Sequence, residues 1–82
     1  MKAGAIRKLA KGHDMAALAG AAEALISGEG APFEIEGEDD GERLTHVMLA
    51  QRIRARVDAG EEPKAVFREV MGSVRTVMTD AE

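Results

Sequence analysis

Residues 41–59 read GERLTHVMLAQRIRARVDA, and the placement of the apolar residues within them decides the architecture. At 100° per residue, Leu44, Val47, Met48 and Ala55 fall on one side of a helix. Leu49, Ala50, Ile53 and Val57 fall on roughly the opposite side, with charged residues between. A helix apolar on two faces is either central in its fold or shared with another chain. Four segments this short leave little to surround it, so Leu49, Ile53 and Val57 are expected to form an interface with a second copy or another protein. Asp39, followed by Glu42 three residues later, makes a capping-box-like start, and Gly60 closes the helix. Arg52, Arg54 and Arg56 fall near its C-terminal end, where cations suit the helix dipole.

Working outward, Pro63 is a favoured first-turn residue and opens a helix to about Met78. Val66, Phe67, Val70, Met71, Val74, Val77 and Met78 form its apolar stripe, with Lys64, Arg68, Glu69 and Arg75 off it. The short Ala59–Glu62 turn predicts an antiparallel hairpin with the preceding helix. Gly72 lies off the stripe, where it either permits a close crossing or has no packing role. Met48, Met71 and Met78 fit an adaptable binding groove, but at helical spacing ordinary core is the better reading.

On the N-terminal side, Ala31–Gly37 alternates Phe33 and Ile35 with Glu34 and Glu36, a period of two. It is an extended segment that staples Phe33 and Ile35 onto the helices or pairs with its copy in another subunit. The staple is preferred, because a lone strand needs a partner that this chain does not offer. Before it, Met15–Ser27 is an alanine-rich helix with Met15, Leu18, Ala22 and Leu25 on one face, capped by Asp14 and ended by Gly28 and Gly30. Ala3–Lys11 is a short helix with Ile6, Leu9 and Ala10 on one side and Gly12 at its end. The fold class is therefore all-α: one domain over residues 1–82, a small bundle of three to four helices with one short extended acidic segment.

Composition limits the function. The chain has 82 residues, no cysteine and a net charge of −4. The absence of cysteine excludes a disulfide framework, a thiolate metal site and a thiol nucleophile. Fifteen of the apolar residues are alanine, so a core of 22 larger ones is thin for this length and favours association, as a dimer or higher oligomer or with an unidentified protein. The net acidity argues against nucleic acid. No stretch approaches the length of a membrane span or a secretory signal, so a cytoplasmic location is expected. Charge is uneven: Lys2, Arg7, Lys8 and Lys11 make the start basic, and six carboxylates crowd Glu34–Glu42. A basic first helix resting on a membrane or nucleic acid is disfavoured, since only Ile6 and Leu9 are large apolar residues in it.

The acidic stretch invites a metal. With Glu36 at position 1 of a calcium loop, Glu38, Asp40 and Gly41 fit, but Arg43 and Val47 occupy positions that require an apolar residue and a bidentate Glu. Glu42 and His46 are spaced i, i+4 on one helix face, so Glu38, Asp39, Asp40, Glu42 and His46 stand as the candidate cation ligands. Ser27, Ser73 and the threonines lie in no nucleophile motif, and Gly28-Glu29-Gly30 lacks the lysine of a phosphate loop. The functional expectation is a non-catalytic interaction or accessory protein, not an enzyme, that self-associates through helix 41–59. The alternative is a metal-binding protein using loop 34–42 with His46. No cofactor is expected.

The block Pro-Phe-Glu-Ile-Glu-Gly-Glu-Asp-Asp-Gly-Glu-Arg-Leu-Thr-His-Val, residues 32–47, resembles the centre of a small uncharacterised bacterial family of helical proteins. The basic start, the Ala-Leu-x-x-Gly end of the second helix and the closing amphipathic helix extend the resemblance over nearly the whole chain. It implies a stand-alone helical protein of bacterial cytoplasm, with the acidic loop and Leu44–Val47 most worth mutating, and no activity to transfer.

Overall fold

In a computed structural model, residues 2–80 are described, with side chains through Ser73. Four helices follow in order: α1, Ala3–Gly12; α2, Met15–Ser27; α3, Asp40–Asp58; and α4, Pro63–Asp80. No strand forms among the described residues, and residues 32–36 belong to the irregular segment between α2 and α3. The helix limits follow from local chemistry. Asp14 caps α2 by accepting the Ala17 N–H at 2.8 Å. Gly28 ends α2 at φ 80°, with the Glu29 N–H returning to the Ala24 carbonyl at 3.0 Å. That is a left-handed stop which glycine adopts without a Cβ penalty. Asp39 accepts the Glu42 N–H at 2.8 Å and starts α3. Glu42 returns its carboxylate to the Glu38 N–H at 2.8 Å, one residue beyond the usual capping-box partner.

α3 is the hub. α1, α2 and α4 all pack on it, in a molecule only 17 Å through its thinnest direction. The core joins Ile6 and Leu9 of α1, Leu18, Ala21 and Leu25 of α2, Leu49, Ala50 and Ile53 of α3, and Val66, Val70 and Met71 of α4. The side chains of Val74, Arg75, Val77 and Met78 lie outside the described set.

The expectation of two apolar faces on α3 is corrected here. Its buried residues are His46, Val47, Leu49, Ala50 and Ile53. At 3.6 residues per turn they occupy one arc of about 160°, from Leu49 round to Val47, with His46 inside it. The opposite side is not a second seam: Met48 is 54 % exposed, Ala55 is exposed and Leu44 is half-buried. Arg43 and Arg54 project between Ala50 and Val47, and reading them as a charged divide assigned Val47 to a separate face.

The interface assignment changes with it. Leu49 is 7 % exposed, Ile53 3 % and Ile35 7 %, while Val57 and Phe33 pack partly buried against the same core. This chain's own helices cover most of the side of α3 assigned to a second chain, and Val57 stays partly exposed on it. Met71 is likewise core and Met48 lies on the far side of α3, so these two make no common surface, and the Met78 side chain lies outside the described residues. The close-crossing reading of Gly72 has no support either, since a Cβ there would meet nothing within 4 Å.

Surface charge ties the α3–α4 junction. Arg56 donates to Glu61 and to Glu69, the latter at 2.9 Å, which joins the end of α3 to the turn and to α4. The Arg56 guanidinium holds the Glu61 carboxyl below the usual carboxylate range.

Two outcomes follow in urea denaturation followed by circular dichroism. Leu49→Ala should cost about 2–4 kcal/mol and Leu49→Glu should unfold the chain, whereas Met48→Glu should stay within about 0.5 kcal/mol of the parent. Gly37→Ala should cost about 1–3 kcal/mol, because its Cβ would lie 2.6 Å from Cγ and 3.1 Å from the backbone N of Arg43. Gly20→Ala, facing open space inside α2, should instead stabilise by about 0.5–1 kcal/mol.

Candidate functional site

The acidic segment and His46 come first, since the sequence singles them out. His46 is fully buried. The backbone N–H of Lys2 reaches its Nε2 at 3.1 Å, and its Nδ1 lies 2.8 Å from the Glu36 carbonyl. A backbone N–H can only donate and a carbonyl can only accept, so Nε2 carries the lone pair and Nδ1 the proton. Both ring nitrogens are thus committed to backbone, one at the start of α1 and one in the acidic segment. This is how a buried imidazole avoids the cost of unpaired polar atoms.

Four of the carboxylates are committed as well. Asp39 and Glu42 accept backbone N–H groups at the α3 start. Asp40 pairs with Arg43 at 2.9 Å, and Glu36 lies 3.9 Å from the Lys2 ammonium. Among the described residues, no three His, Asp or Glu side chains converge on a possible ion. The candidate set Glu38, Asp39, Asp40, Glu42 and His46 is therefore corrected: its members organise a helix start and a core contact, and His46 has no nitrogen to offer a metal. The stacking of His13 on Phe33, with ring centroids 3.8 Å apart, fixes the front of the same segment.

The site that the structure assembles lies elsewhere. α1 and α4 leave a groove of about 760 Å³ over the C-terminal half of α3. That volume falls within the usual range of binding clefts. Its floor is Ala10, Ile53, Val57, Phe67 and Met71, and its edges carry Arg7, Lys11, Arg54, Lys64 and Arg68, with Glu62 the one carboxylate lining it among the described residues.

Each edge has a local cause. Arg7 and Lys11 are one turn apart on α1, as are Lys64 and Arg68 on α4, so each pair shares a helix face. Arg54 is spoken for: it pairs with Asp58 at 3.0 Å and donates to the Ala10 carbonyl at 3.3 Å, tying α3 to the last turn of α1. The Arg7 guanidinium sits 5.6 Å from the Phe67 ring centroid, a cation–π contact across the groove. Glu62 spends its carboxylate on the Ala65 N–H at the start of α4. Lys11, Lys64 and Arg68 are exposed and have no ion-pair partner among the described residues.

The chemistry available is attraction of negative charge around an apolar floor. The sequence reading had each ingredient, the basic α1 and the apolar stripe of α4, but not their meeting. The usable signal was two basic i, i+4 pairs at opposite ends of the chain.

The chain belongs to a family of unknown function, DUF6952, whose model matches residues 1–79. This agrees with the resemblance of the whole chain to an uncharacterised family. No curated protein and no solved structure matches it.

Replacing His46 tests its assignment. His46→Ala should destabilise by about 2–4 kcal/mol in urea titration, from lost packing and two orphaned backbone groups. Added zinc should leave the melting temperature of the parent unchanged. A zinc-induced rise that disappears in His46→Ala would restore the metal reading.

Proposed function

We propose that this member of a family of unknown function is a non-catalytic accessory protein that binds another protein through the groove between α1, α3 and α4. The observation that carries the reading is the groove's composition: among the described residues, five cations and one capped carboxylate surround an apolar floor. An apolar centre ringed by polar residues is the anatomy of a protein contact. The cations are long, flexible side chains that snorkel over apolar surface, which suits steering and rim pairing.

Several features support a role without catalysis. Among the described residues, the groove-lining groups that titrate are Lys, Arg and one carboxylate used as a helix cap, and no acid–base pair faces the floor. The two histidines lie outside the groove, one buried between backbone groups and one stacked on Phe33. Binding through Leu49 would require opening the core, whereas Ile53 and Val57 already line the groove. The groove needs no such rearrangement. Among the described residues, no helix is long and apolar enough to cross a membrane.

The test is capture from an extract of the native organism on immobilised protein. The double variant Lys64→Glu/Arg68→Glu should remain folded, because both side chains are exposed, and should lose the captured protein. Glu34→Lys, on the acidic segment, should keep it. Capture that survives the groove reversal but fails in Glu34→Lys would move the function to the acidic segment.

A further inference from the structure

We infer that the groove receives an amphipathic helix of a partner protein, with carboxylates flanking its apolar stripe on both sides. The inference rests on the groove being the interaction site and goes on to name the chemistry of the occupant. Four pairs of residues, each one helical turn apart, build the trough. Ile53 with Val57 on α3 and Phe67 with Met71 on α4 form the floor. Arg7 with Lys11 on α1 and Lys64 with Arg68 on α4 form the two walls.

α4 lines the groove from Pro63 to Gly72, about 13.5 Å at 1.5 Å per residue, which matches roughly ten residues or nearly three turns of a docked helix. A helix laid in such a trough puts its i, i+3, i+4 and i+7 side chains on the floor. The residues beside that stripe then face Arg7 and Lys11 on one flank, and Lys64 and Arg68 on the other. Acids at those positions neutralise both walls, whereas a basic helix would meet like charge on each side.

Other occupants fit less well. A membrane surface is broad, and the floor lies below a double rim of cations, so a bilayer would meet the rim and leave the apolar floor empty. Nucleic acid would find one aromatic ring on the floor, Phe67, already faced by the Arg7 guanidinium, and would meet the repulsion of a chain with net charge −4. A second copy would have to offer its acidic residues 34–42, but the apolar residues there are held at home: Ile35 is buried, and Phe33 is packed on the core and stacked on His13. A head-to-tail contact of that kind would also leave both ends open and propagate.

The probe is a fluorescein-labelled three-turn amphipathic peptide with leucine at the i, i+3, i+4 and i+7 positions and glutamate on both flanks. A second peptide carries lysine in place of glutamate, and binding to the full chain is read by fluorescence anisotropy. Expected are saturable, salt-sensitive binding of the glutamate peptide and none of the lysine peptide. Lys64→Glu/Arg68→Glu should weaken the glutamate peptide roughly tenfold or more. The same variant should gain affinity for the lysine peptide, which a merely unfolded variant could not do. Equal binding of both peptides, or of neither, overturns the inference. So does displacement of the glutamate peptide by phosphatidylglycerol vesicles, or a dimer that Arg68→Glu dissociates. If neither peptide binds while the groove reversal still abolishes capture from extract, only the helical-acid chemistry fails. If capture ignores the reversal, the interaction reading itself fails.

Discussion

The structure turns on one buried imidazole. His46 lies within the packed arc of α3 and binds two backbone groups that are distant along the chain, the Lys2 N–H and the Glu36 carbonyl. With those two bonds, the start of α1 and the acidic segment are both fixed to α3. Apolar contact alone would not set their register so narrowly, because the hydrophobic effect is non-directional. The imidazole supplies direction, since each ring nitrogen accepts one kind of partner along one line. A leucine there would pack, but it would leave the Lys2 N–H and the Glu36 carbonyl without these partners.

The rest follows from that anchoring. Held at its start, α1 places Ile6 and Leu9 in the core and turns Arg7 and Lys11 outward. Its far end is tied by Arg54 to the Ala10 carbonyl, so the helix is fixed to α3 at both termini. α4 is fixed from its own beginning, where Glu62 caps it and Arg56 reaches Glu61 and Glu69. Two helices secured independently on one central helix need not close over it. The space left between them is the groove, and its charge is set by which faces of α1 and α4 were left outward. The proposed contact therefore sits where packing stops, on a frame centred on α3.

Much of this was legible in the sequence where the determinants are local. Asp14, Gly28, Asp39, Gly60 and Pro63 mark helix ends by chemistry acting over three or four residues, and the helix limits fall within about two residues of those signals. The amphipathic faces of α1 and the described part of α4 were readable for the same reason. The face of α3 was misread because Arg43 and Arg54 stand between Ala50 and Val47 on the helix, and periodicity counts a half-buried arginine as a charged divide. His46 joins the core only through partners 44 and 10 residues away, which no local pattern shows. The proposed metal ligands were misread likewise, because spacing on a helix reports proximity but not whether the nitrogen atoms are already used. The groove was invisible because Arg7 and Lys11 are separated from Lys64 and Arg68 by most of the chain. No local rule links two charge pairs that meet only after both helices have docked on a third.

The most direct test of this account is the tautomer of His46, read by long-range proton–nitrogen correlation of the imidazole in isotope-labelled protein at neutral pH. The arrangement requires one neutral tautomer, with Nδ1 protonated and slow to exchange with solvent, and Nε2 unprotonated. A ring protonated at Nε2, or one averaging both tautomers as a solvated imidazole does, would contradict it. In that case α1 and the acidic segment are not held by His46, and the groove between α1 and α4 loses the anchor from which it follows.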